Sequence, residues 1–377
     1  MSLKSRIVER IRAEGPMSVA EYMTLCLLDP VDGYYPTRDP QDPGLGEGGD
    51  FITAPEITQM FGEVLGLWVL QSWRDLGAPP DLKLVELGPG RGTLMSDMLR
   101  SLRLDPGAMR ATSVHLVEAS SALQAVQGRT LSMSPCPVIW HDRLEDVPAG
   151  PTIVIGNEFL DCLPVRQFIQ SYPFAGARGW RERVVTVDDG QLAFAASTGG
   201  PGGFADHFPG AHEDARLDDL MEVRPAVAQI VDTLRTRFDH RPGRALFLDY
   251  GPNTTEFGDT LQALRRHEKV DVLDEPGRAD LTARVDFEAL ASEARAVGLS
   301  VAGPATQAAF LSRLGIEVRA AALARANPDS QDVLGRQLRR LTAADEMGEL
   351  FKAICLSADN LPDPLGFGAV SPAEPAP

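Results

Sequence analysis

A glycine-rich stretch in the first third of the chain has the composition of a nucleotide-binding loop. KLVELGPGRGTL, at residues 83–94, starts as a short apolar run and ends where a helix is predicted to begin. Between the two lie Gly88, Pro89, Gly90 and Gly92. Such a turn places backbone N–H groups and the positive end of a helix at the carboxyl edge of a parallel sheet, where nucleotides bind. Thr93 stands where the dinucleotide fingerprint requires its third glycine, so binding of NAD is disfavoured. The alternative to any cofactor-binding role is that the loop is an ordinary tight turn between a strand and a helix.

Three acidic residues near this loop indicate which ligand it would bind. Glu86 lies two residues before the first glycine, where a carboxylate would repel a pyrophosphate and attract an ammonium group. Glu118, in VHLVEAS, ends the next predicted strand and is placed to hydrogen-bond both ribose hydroxyls. Asp142 follows a third strand, where it would accept from an adenine amino group or cap a helix. S-adenosyl-L-methionine, with an amino-acid head and a nucleoside, fits this set.

The polar segment after a fourth predicted strand is the candidate acceptor site. The predicted strand TIVIG is followed by Asn157, which is predicted to bind the cofactor. Glu158 and Asp161 come next and are predicted to be catalytic. Methyl transfer from a sulfonium is an in-line displacement that requires no metal, and no metal site is predicted. If NEFLD is helical, Glu158 and Asp161 share one face and would together grip a guanidinium group. The alternative is that they only cap that helix.

The residue types around this segment favour a cationic acceptor. Many enzymes that methylate amino groups of nucleic acids or glutamine carry N-P-P-Y here, whereas this chain has NEFL. Asp249, which ends a later strand in FLDYGP, is predicted to add a third carboxylate or to order the cofactor pocket, and Tyr250 to line it. Asp280 and Thr282 are expected to reach the same edge. A purely structural role is the alternative for each, because strand ends favour turn-forming residues.

Two further features carry weaker signals. The GEGGDFITAP loop is expected to fold over the cofactor with Thr53 and Glu56 near its methionine end, or else to pack the N-terminal helices onto the sheet. His115 lies inside a predicted strand, where a lone histidine is more often a packed residue than a base. His141 has no visible partner in the sequence.

Composition bounds the class of protein. The 377 residues are 44% hydrophobic, enough for a large core, with a net charge of −17 and a pI of about 4.8. Nucleic acid and anionic membranes would be repelled, so neither is an expected partner. The longest apolar window is too short for a bilayer, and the first residues lack the apolar core of a signal peptide. Four dispersed cysteines without a C-x-x-C pair indicate thiols in a reducing compartment, so a cytoplasmic, bacterial protein is predicted.

Hydrophobic periodicity predicts the elements that position these residues. Leu3, Ile7 and Ile11 predict an amphipathic first helix, and a second helix is expected over Ser18–Leu28. The proline- and glycine-rich segment that follows is expected to be irregular. A third helix is predicted from about Glu56 to Leu76.

From Leu82 onward the pattern is that of an α/β fold with a doubly wound, mostly parallel sheet. Five runs look like buried strands: KLVEL, SVHLVEAS, TIVIGNEFL, RALFLDY and LSVAG. RQFIQ and GWRERVVTVDDGQLAF predict an inserted, strand-rich subdomain with a DDG turn and a flexible TGGPGGF segment. The predicted parts are 1–80 (N-terminal helices and cofactor-covering loop), 81–165 (first half of the core), 166–240 (insertion), 241–357 (second half of the core and C-terminal helices) and 358–377 (disordered tail).

Several segments together resemble one family. They are GGDFITAPEITQMFGEVLG, VELGPGRGTL, VHLVEAS, NEFLDCLPVRQF, GWRER, FLDYGP, ADLTARVDF and QAAFLSRLGI. In this order they look like the MidA family of bacterial and mitochondrial S-adenosylmethionine-dependent methyltransferases, over nearly the whole chain. The resemblance implies a Rossmann-like class I methyltransferase core of seven strands, with a helical N-terminal segment. In mitochondrial members it implies symmetric dimethylation of an arginine in a core subunit of respiratory complex I.

Three functions therefore remain open from the sequence. The first is a protein arginine methyltransferase with a protein substrate, by resemblance a complex I subunit. The second keeps S-adenosyl-L-methionine but has another acceptor. The third is an assembly chaperone that binds the cofactor without catalysis. The sequence predicts no oligomeric state.

Overall fold

Two compact units account for the chain. The computed structural model describes residues 1–37, 53–174, 177–198, 215–239, 241–266 and 268–368, with the backbone alone at 172–174, 177 and 178. The first unit comprises residues 1–51, 161–229 and 254–286, and the second comprises 52–160, 230–253 and 287–377. No helix in the described parts of the chain combines the length and apolar character needed to cross a bilayer.

The strands are numbered in chain order. They are β1 (Met17–Ser18), β2 (Leu82–Leu87), β3 (Thr112–Val117), β4 (Val138–His141), β5 (Thr152–Asn157), β6 (Arg166–Phe174), β7 (Ala177–Asp188), β8 (Gln191–Ala196), β9 (Leu220–Val223), β10 (Gly243–Tyr250), β11 (Gln262–Arg265), β12 (Glu268–Val270), β13 (Asp280–Thr282), β14 (Ser300–Thr306) and β15 (Phe351–Ser357).

The helices are numbered in the same way. They are α1 (Leu3–Glu14), α2 (Val19–Leu28), α3 (Tyr34–Thr37), α4 (Ala54–Ile57), α5 (Gln59–Asp75), α6 (Thr93–Leu102), α7 (Pro106–Ala111), α8 (Ser121–Thr130), α9 (Pro225–Phe238), α10 (Phe287–Ala296), α11 (Gln307–Arg313), α12 (Ile316–Ala326), α13 (Gln331–Thr342) and α14 (Met347–Leu350).

The second unit is built on a seven-stranded sheet. Its order is β14-β15-β10-β5-β2-β3-β4. β10, β5, β2, β3 and β4 pair in parallel, whereas β15 runs antiparallel to both of its neighbours. The side chains of β2, β5 and β10 are almost wholly buried, as is typical of strands covered on both faces. The predicted α/β class with a mostly parallel sheet is confirmed.

Two predictions about the last third of this sheet are wrong. LSVAG was expected to be a buried strand, but it begins β14, an antiparallel edge strand in which no residue is fully buried. The C-terminal section was expected to stay helical to Ser357, yet Phe351–Ser357 is the fully buried strand β15. A buried apolar run of this length does not show the alternation of a half-exposed strand, so it cannot be distinguished from a buried helical segment by its periodicity.

The helix predicted from Glu56 to Leu76 is present but interrupted. Thr58 has an extended backbone, with φ −165° and ψ 141°, which separates α4 from α5. Its hydroxyl oxygen accepts from the N–H of Met60 at 3.4 Å and so caps α5. The predicted apolar face of α5, including Phe61 and Trp68, is completely buried in the core of the second unit.

The first unit begins with the two predicted helices. Leu3, Ile7 and Ile11 face its core, as their spacing predicts. Ser18 and Glu21 form a capping box at the start of α2, in which the Ser18 side chain accepts from the N–H of Glu21 at 3.1 Å and the Glu21 carboxylate accepts from the N–H of Ser18 at 2.9 Å. Within the segment predicted to be irregular, α3 forms one helical turn, and residues 38–52 lie outside the description.

Residues 166–196 form the predicted strands of the first unit. β7 and β8 are joined by a two-residue turn at Asp189 and Gly190, whose φ angles of 45° and 80° match the turn type favoured in hairpins. These strands belong to a sheet of order β1-β7-β6-β9, with β8 paired to β7, and a separate three-stranded sheet has the order β12-β11-β13. The TGGPGGF segment, after its first residue, lies outside the described residues.

A buried ion pair ties the start of the second half of the core to α5. Arg244, at the beginning of β10, has no exposed surface. Its guanidinium donates to the Asp75 carboxylate and to the carbonyl oxygen of Pro362, in the first part of the Pro-rich tail. Residues up to 368 are described, and Phe367 packs on Phe310 with ring centroids 5.0 Å apart.

Asp75→Asn is expected to lower the free energy of unfolding by about 3–5 kcal/mol, because Arg244 would remain charged and buried without its counter-ion. Urea denaturation at neutral pH measures this. Asp81→Asn is the matched control, since Asp81 pairs with Lys83 but is 68% exposed, and its loss should cost less than about 1 kcal/mol. Equal losses in the two variants would contradict the importance of the buried pair.

Candidate functional site

The glycine loop between β2 and α6 has a backbone that requires glycine. Gly88, Gly90 and Gly92 have φ angles of 59°, 53° and 80°, a region that other residues rarely adopt. The N–H of Gly92 donates to the carbonyl oxygen of Pro89 at 2.8 Å and closes the turn. A side chain at position 88 would also come within 3.0 Å of the Phe159 ring, whereas the space beside Gly90 is open for at least 4 Å. The loop is therefore a narrow turn with an open side at Gly90.

Glu86, near the end of β2, is a buried acid. It is 3% exposed, and its Oε2 atom has no hydrogen-bond partner among the described residues. Burial raises the pKa of Glu86 to about 8. This carboxyl group would gain from a cation or hydrogen-bond donor supplied by a ligand.

Glu118, directly after β3, is held in one orientation. Its Oε1 atom accepts from the N–H of Ser120 at 2.8 Å, and its Oε2 atom accepts from the side-chain amide of Gln127 at 3.1 Å. Burial raises the pKa of Glu118 above its usual value. The carboxylate is thus oriented before any ligand arrives.

The end of β4 differs from the sequence prediction. Asp142 is exposed, and the next helical turn begins at Leu144 with Arg143 in the capping position, so the helix-cap alternative for Asp142 is wrong. His141 does have a partner, since its Nε2 lies 2.8 Å from Nδ1 of His115 in a stacked pair. Burial lowers the pKa of His115 to about 4 and also lowers the pKa of His141 below its usual value, so both rings are neutral near pH 7.

No helix begins at NEFLD, and the helical prediction for this segment is wrong. Glu158 has a φ angle of 51°, and its N–H donates to the carbonyl oxygen of Leu248 at 2.8 Å. Its Oε1 atom accepts from the N–H of Ala54 at 3.0 Å and from the side-chain amide of Asn157 at 3.1 Å. Burial raises the pKa of Glu158 to about 7 against the hydrogen bond from Ala54, and the charge of Asp249 raises it further.

Asp249 anchors the segment that carries Glu158. It is fully buried at the end of β10. One carboxylate oxygen accepts from the N–H of Leu160 at 2.8 Å, and the other accepts from the N–H of Tyr250 at 2.9 Å. Tyr250 packs against Phe351, with ring centroids 5.8 Å apart. These bonds fix the turn after β5, which fits the structural alternative given for Asp249.

The remaining predicted polar residues belong to the first unit. Asp161 is 8% exposed, and its carbonyl oxygen accepts from the N–H of Ala283 at 3.0 Å. Asp280 is buried and accepts from the hydroxyl of Tyr35 at 3.0 Å, while burial together with that carboxylate raises the pKa of Tyr35 well above its usual value. Glu158 lies in the second unit, so its pairing with Asp161 on one acceptor stays a prediction.

The described end of the GEGGDFITAP loop leads into α4, which contacts the start of α6. Thr53 precedes α4, and its side chain does not cap that helix. Glu56, in α4, accepts from the hydroxyl of Thr93 at 2.6 Å, which brings its carboxylate to the first residue of α6. That Thr53 and Glu56 lie near the methionine end of the cofactor stays a prediction, and residues 38–52 lie outside the description.

Sequence reasoning missed three residues of this edge. Phe159 lies under Gly88, and Gln127 and Trp140 are hydrogen-bonded to each other beside Glu118. Phe159 lies within NEFLD, whose polar residues alone carried the prediction, whereas Gln127 and Trp140 belong to no motif with a recognisable spacing. Taken together, the edge of the second unit offers a glycine turn and several carboxylates, which suits a ligand with an ammonium group and a ribose.

Comparisons with known proteins agree with this chemistry. Residues 64–305 match a family described as S-adenosyl-L-methionine-dependent methyltransferases. The chain is 37% identical to the protein arginine methyltransferase NDUFAF7, mitochondrial, of Xenopus tropicalis, over 93% of this chain and 84% of that one. It is 38% identical to the human protein of the same name, over 93% of this chain and 82% of that one.

A solved structure extends the similarity to the fold of nearly the whole chain. A Burkholderia thailandensis protein bound to S-adenosyl-homocysteine matches with a TM-score of 0.84. The two chains are 29% identical, and the match covers 98% of this chain and 94% of that one. The similarity therefore includes both units.

Glu86 is expected to make the stability of the ligand-free protein pH-dependent. Its pKa is about 8 in the folded protein against the ordinary 4.5, so between these values the folded state keeps a proton that the unfolded chain loses. The free energy of unfolding should then fall as pH rises from about 5 to 8. Glu86→Gln should flatten this decline by up to about 1.4 kcal/mol per pH unit, measured by urea denaturation across that range.

The control for this experiment is Glu346→Gln, because Glu346 is exposed. It should leave the pH dependence of unfolding unchanged. An unaltered slope in Glu86→Gln would contradict the assignment of a protonated, buried carboxyl group.

Proposed function

The chain belongs to the family of S-adenosyl-L-methionine-dependent methyltransferases, and we propose that it methylates an arginine side chain of a protein substrate. The observation that carries this proposal is the 37% identity to a protein arginine methyltransferase over 93% of the chain. The acceptor, unlike the cofactor, is inferred from the relatives and from the chemistry of the site.

The edge of the second unit fits the cofactor. Glu86 has a buried oxygen to which none of the described residues donates a hydrogen bond, which suits a nearby ammonium group. The open side of Gly90 lets a ligand approach the backbone, and Glu118 presents an oriented carboxylate for ribose hydroxyls. We assign cofactor binding to these residues together with Gly88, Pro89, Gly92 and Asn157, and we keep Thr53 and Asp142 as further candidates.

The chemistry asks little of the protein beyond orientation and charge. S-adenosyl-L-methionine supplies a methyl group on a sulfonium, and the C–S bond electrons remain on the departing thioether. The acceptor nitrogen forms the new C–N bond and afterwards loses one proton. The protein must therefore hold the acceptor nitrogen in line with the methyl carbon and the sulfur, exclude water and receive that proton.

Glu158 is the proposed proton acceptor. Its pKa of about 7 lies near the pH at which a general base works best, and its backbone is fixed by Leu248. Asp249 holds the same turn through Leu160 and acts as a positioning residue. Asp161 remains the proposed second carboxylate for the guanidinium.

The proposed partner is a protein, and by the family resemblance a core subunit of respiratory complex I. The net charge of −17 favours a basic protein surface over nucleic acid. Cys26, Cys136, Cys162 and Cys355 are all free thiols, which supports the cytoplasm as the proposed compartment. The relatives cited above are named as mitochondrial, and that compartment is also reducing.

Glu158→Gln is expected to slow methyl transfer by about 100-fold or more, because the amide cannot take up the proton. The assay incubates the purified protein with methyl-labelled S-adenosyl-L-methionine and an extract from cells lacking this protein. Recovery of label as methylarginine in one protein is the expected result. Binding of S-adenosyl-homocysteine by the variant, measured by calorimetry, should change little.

Glu145→Gln is the matched control, since Glu145 lies in the same unit and its carboxylate accepts from the hydroxyl of Thr233 and pairs with Arg143. Label in a different amino acid would overturn arginine as the acceptor. If the wild-type protein binds the cofactor but labels nothing, the chaperone function replaces the enzyme.

A further inference from the structure

A single buried amide connects two parts of the cofactor edge. Gln127 lies on α8 and has no exposed surface, although glutamine is usually found at the surface. Its Nε2 donates to the carbonyl oxygen of Gly90 at 2.8 Å and to Oε2 of Glu118 at 3.1 Å. One side chain therefore bonds both the glycine loop and the carboxylate after β3.

Trp140 fixes which way this amide points. The indole N–H of Trp140 donates to Oε1 of Gln127 at 2.9 Å. An indole N–H can only donate, so the amide oxygen must face Trp140 and the NH₂ group must face Gly90 and Glu118. Both amide protons and the amide oxygen are then used, which leaves Gln127 no unmatched polar atom.

The amide also packs against the turn that it bonds. A Cβ at Gly92 would lie 3.5–3.7 Å from Gln127 atoms, so α8 is in direct contact with the loop. The second oxygen of Glu118 is held by the N–H of Ser120, so the carboxylate has two fixed donors, one on each oxygen. Moving Gln127 would shift the loop and the carboxylate together.

We propose that Gln127 is a positioning residue for the cofactor, which sets the ribose-binding carboxylate of Glu118 and the loop at Gly90 in one arrangement before the ligand binds. This inference rests on the proposed function, since it needs a ligand with a ribose next to that loop. Gln127 itself contacts no ligand. It acts through Glu118 and Gly90, and Trp140 acts through Gln127.

Gln127→Glu is the informative variant because it preserves shape and the bond from Trp140. It replaces the NH₂ donor by an acceptor that faces a carboxylate and a carbonyl oxygen. The Kd for S-adenosyl-L-homocysteine, measured by calorimetry on the full chain at pH 8, is expected to rise by about 10- to 100-fold. Gln331→Glu is the matched control, because it makes the same change at an exposed position on α13, and its Kd should stay close to that of the wild type.

The pH dependence separates positioning from general damage to the fold. At lower pH one proton shared between Glu118 and the carboxyl group introduced at position 127 restores a hydrogen bond. The ratio of the variant Kd to the wild-type Kd should therefore shrink as pH falls from 8 to 6, a recovery that a merely destabilised fold would not show. Gln331→Glu should show no such change in its ratio.

Each remaining outcome is decisive. Wild-type affinity in folded Gln127→Glu would overturn the inference, and so would a weakened affinity that does not recover at lower pH. If thermal unfolding shows that Gln127→Glu is not folded, Trp140→Phe replaces it. This variant keeps an aromatic ring but removes the N–H that fixes the amide of Gln127, which is then free to flip. A several-fold loss of affinity in Trp140→Phe supports the inference, and no loss overturns it. Failure of the wild-type protein to bind S-adenosyl-L-homocysteine would overturn the proposed function as well.

Discussion

The parallel pairing of β2 between β3 and β5 is the constraint on which the site depends. Leu87, the last residue of β2, is level with Val117 of β3 and with Gly156 of β5. Because the three strands run in the same direction and end in the same row, whatever follows each of them must meet at one edge. The glycine loop and Glu118 follow β2 and β3 directly, and Asn157 is the last residue of β5. Residues separated by up to seventy positions in the chain are thus brought together by backbone hydrogen bonds alone.

Two carboxyl groups at this edge would lower the stability of the folded protein if they ionised. Glu86 and Glu158 are both held by burial with raised pKa values, so ionising either costs free energy that the folded protein must supply. Acids buried without a cation are uncommon in structural cores and frequent at functional sites. Glu86 differs from Glu158, Glu118 and Asp249, because backbone N–H groups donate to the carboxylates of those three residues. The edge therefore contains a buried carboxyl group that lacks a donor among the described residues, beside carboxylates that are bonded to the backbone.

The sequence predicted the elements that depend on local residue patterns. It failed to predict those whose conformation is determined by contacts between residues distant in the chain. The strands of the parallel sheet, the first two helices and the glycine turn follow from local runs of residue types. NEFLD looked like the start of a helix, but Glu158 has a left-handed conformation, donates its N–H to the carbonyl oxygen of Leu248 and accepts from the N–H of Ala54, both of which are distant in the chain. Gln127 gave no signal, because its partners come from three separate segments. β15 was mistaken for helix since its seven residues are buried on every side.

The position of β15 in the sheet has a consequence for the order in which the protein is made. β10 and β14 do not touch each other, and the strand that joins them comes from residues 351–357. During synthesis, β10 therefore leaves the ribosome with one edge of unpaired N–H and C=O groups, and it keeps that edge until more than a hundred further residues have followed. Exposed strand edges of this kind pair with other chains, so the nascent protein is prone to aggregate until β15 has been made.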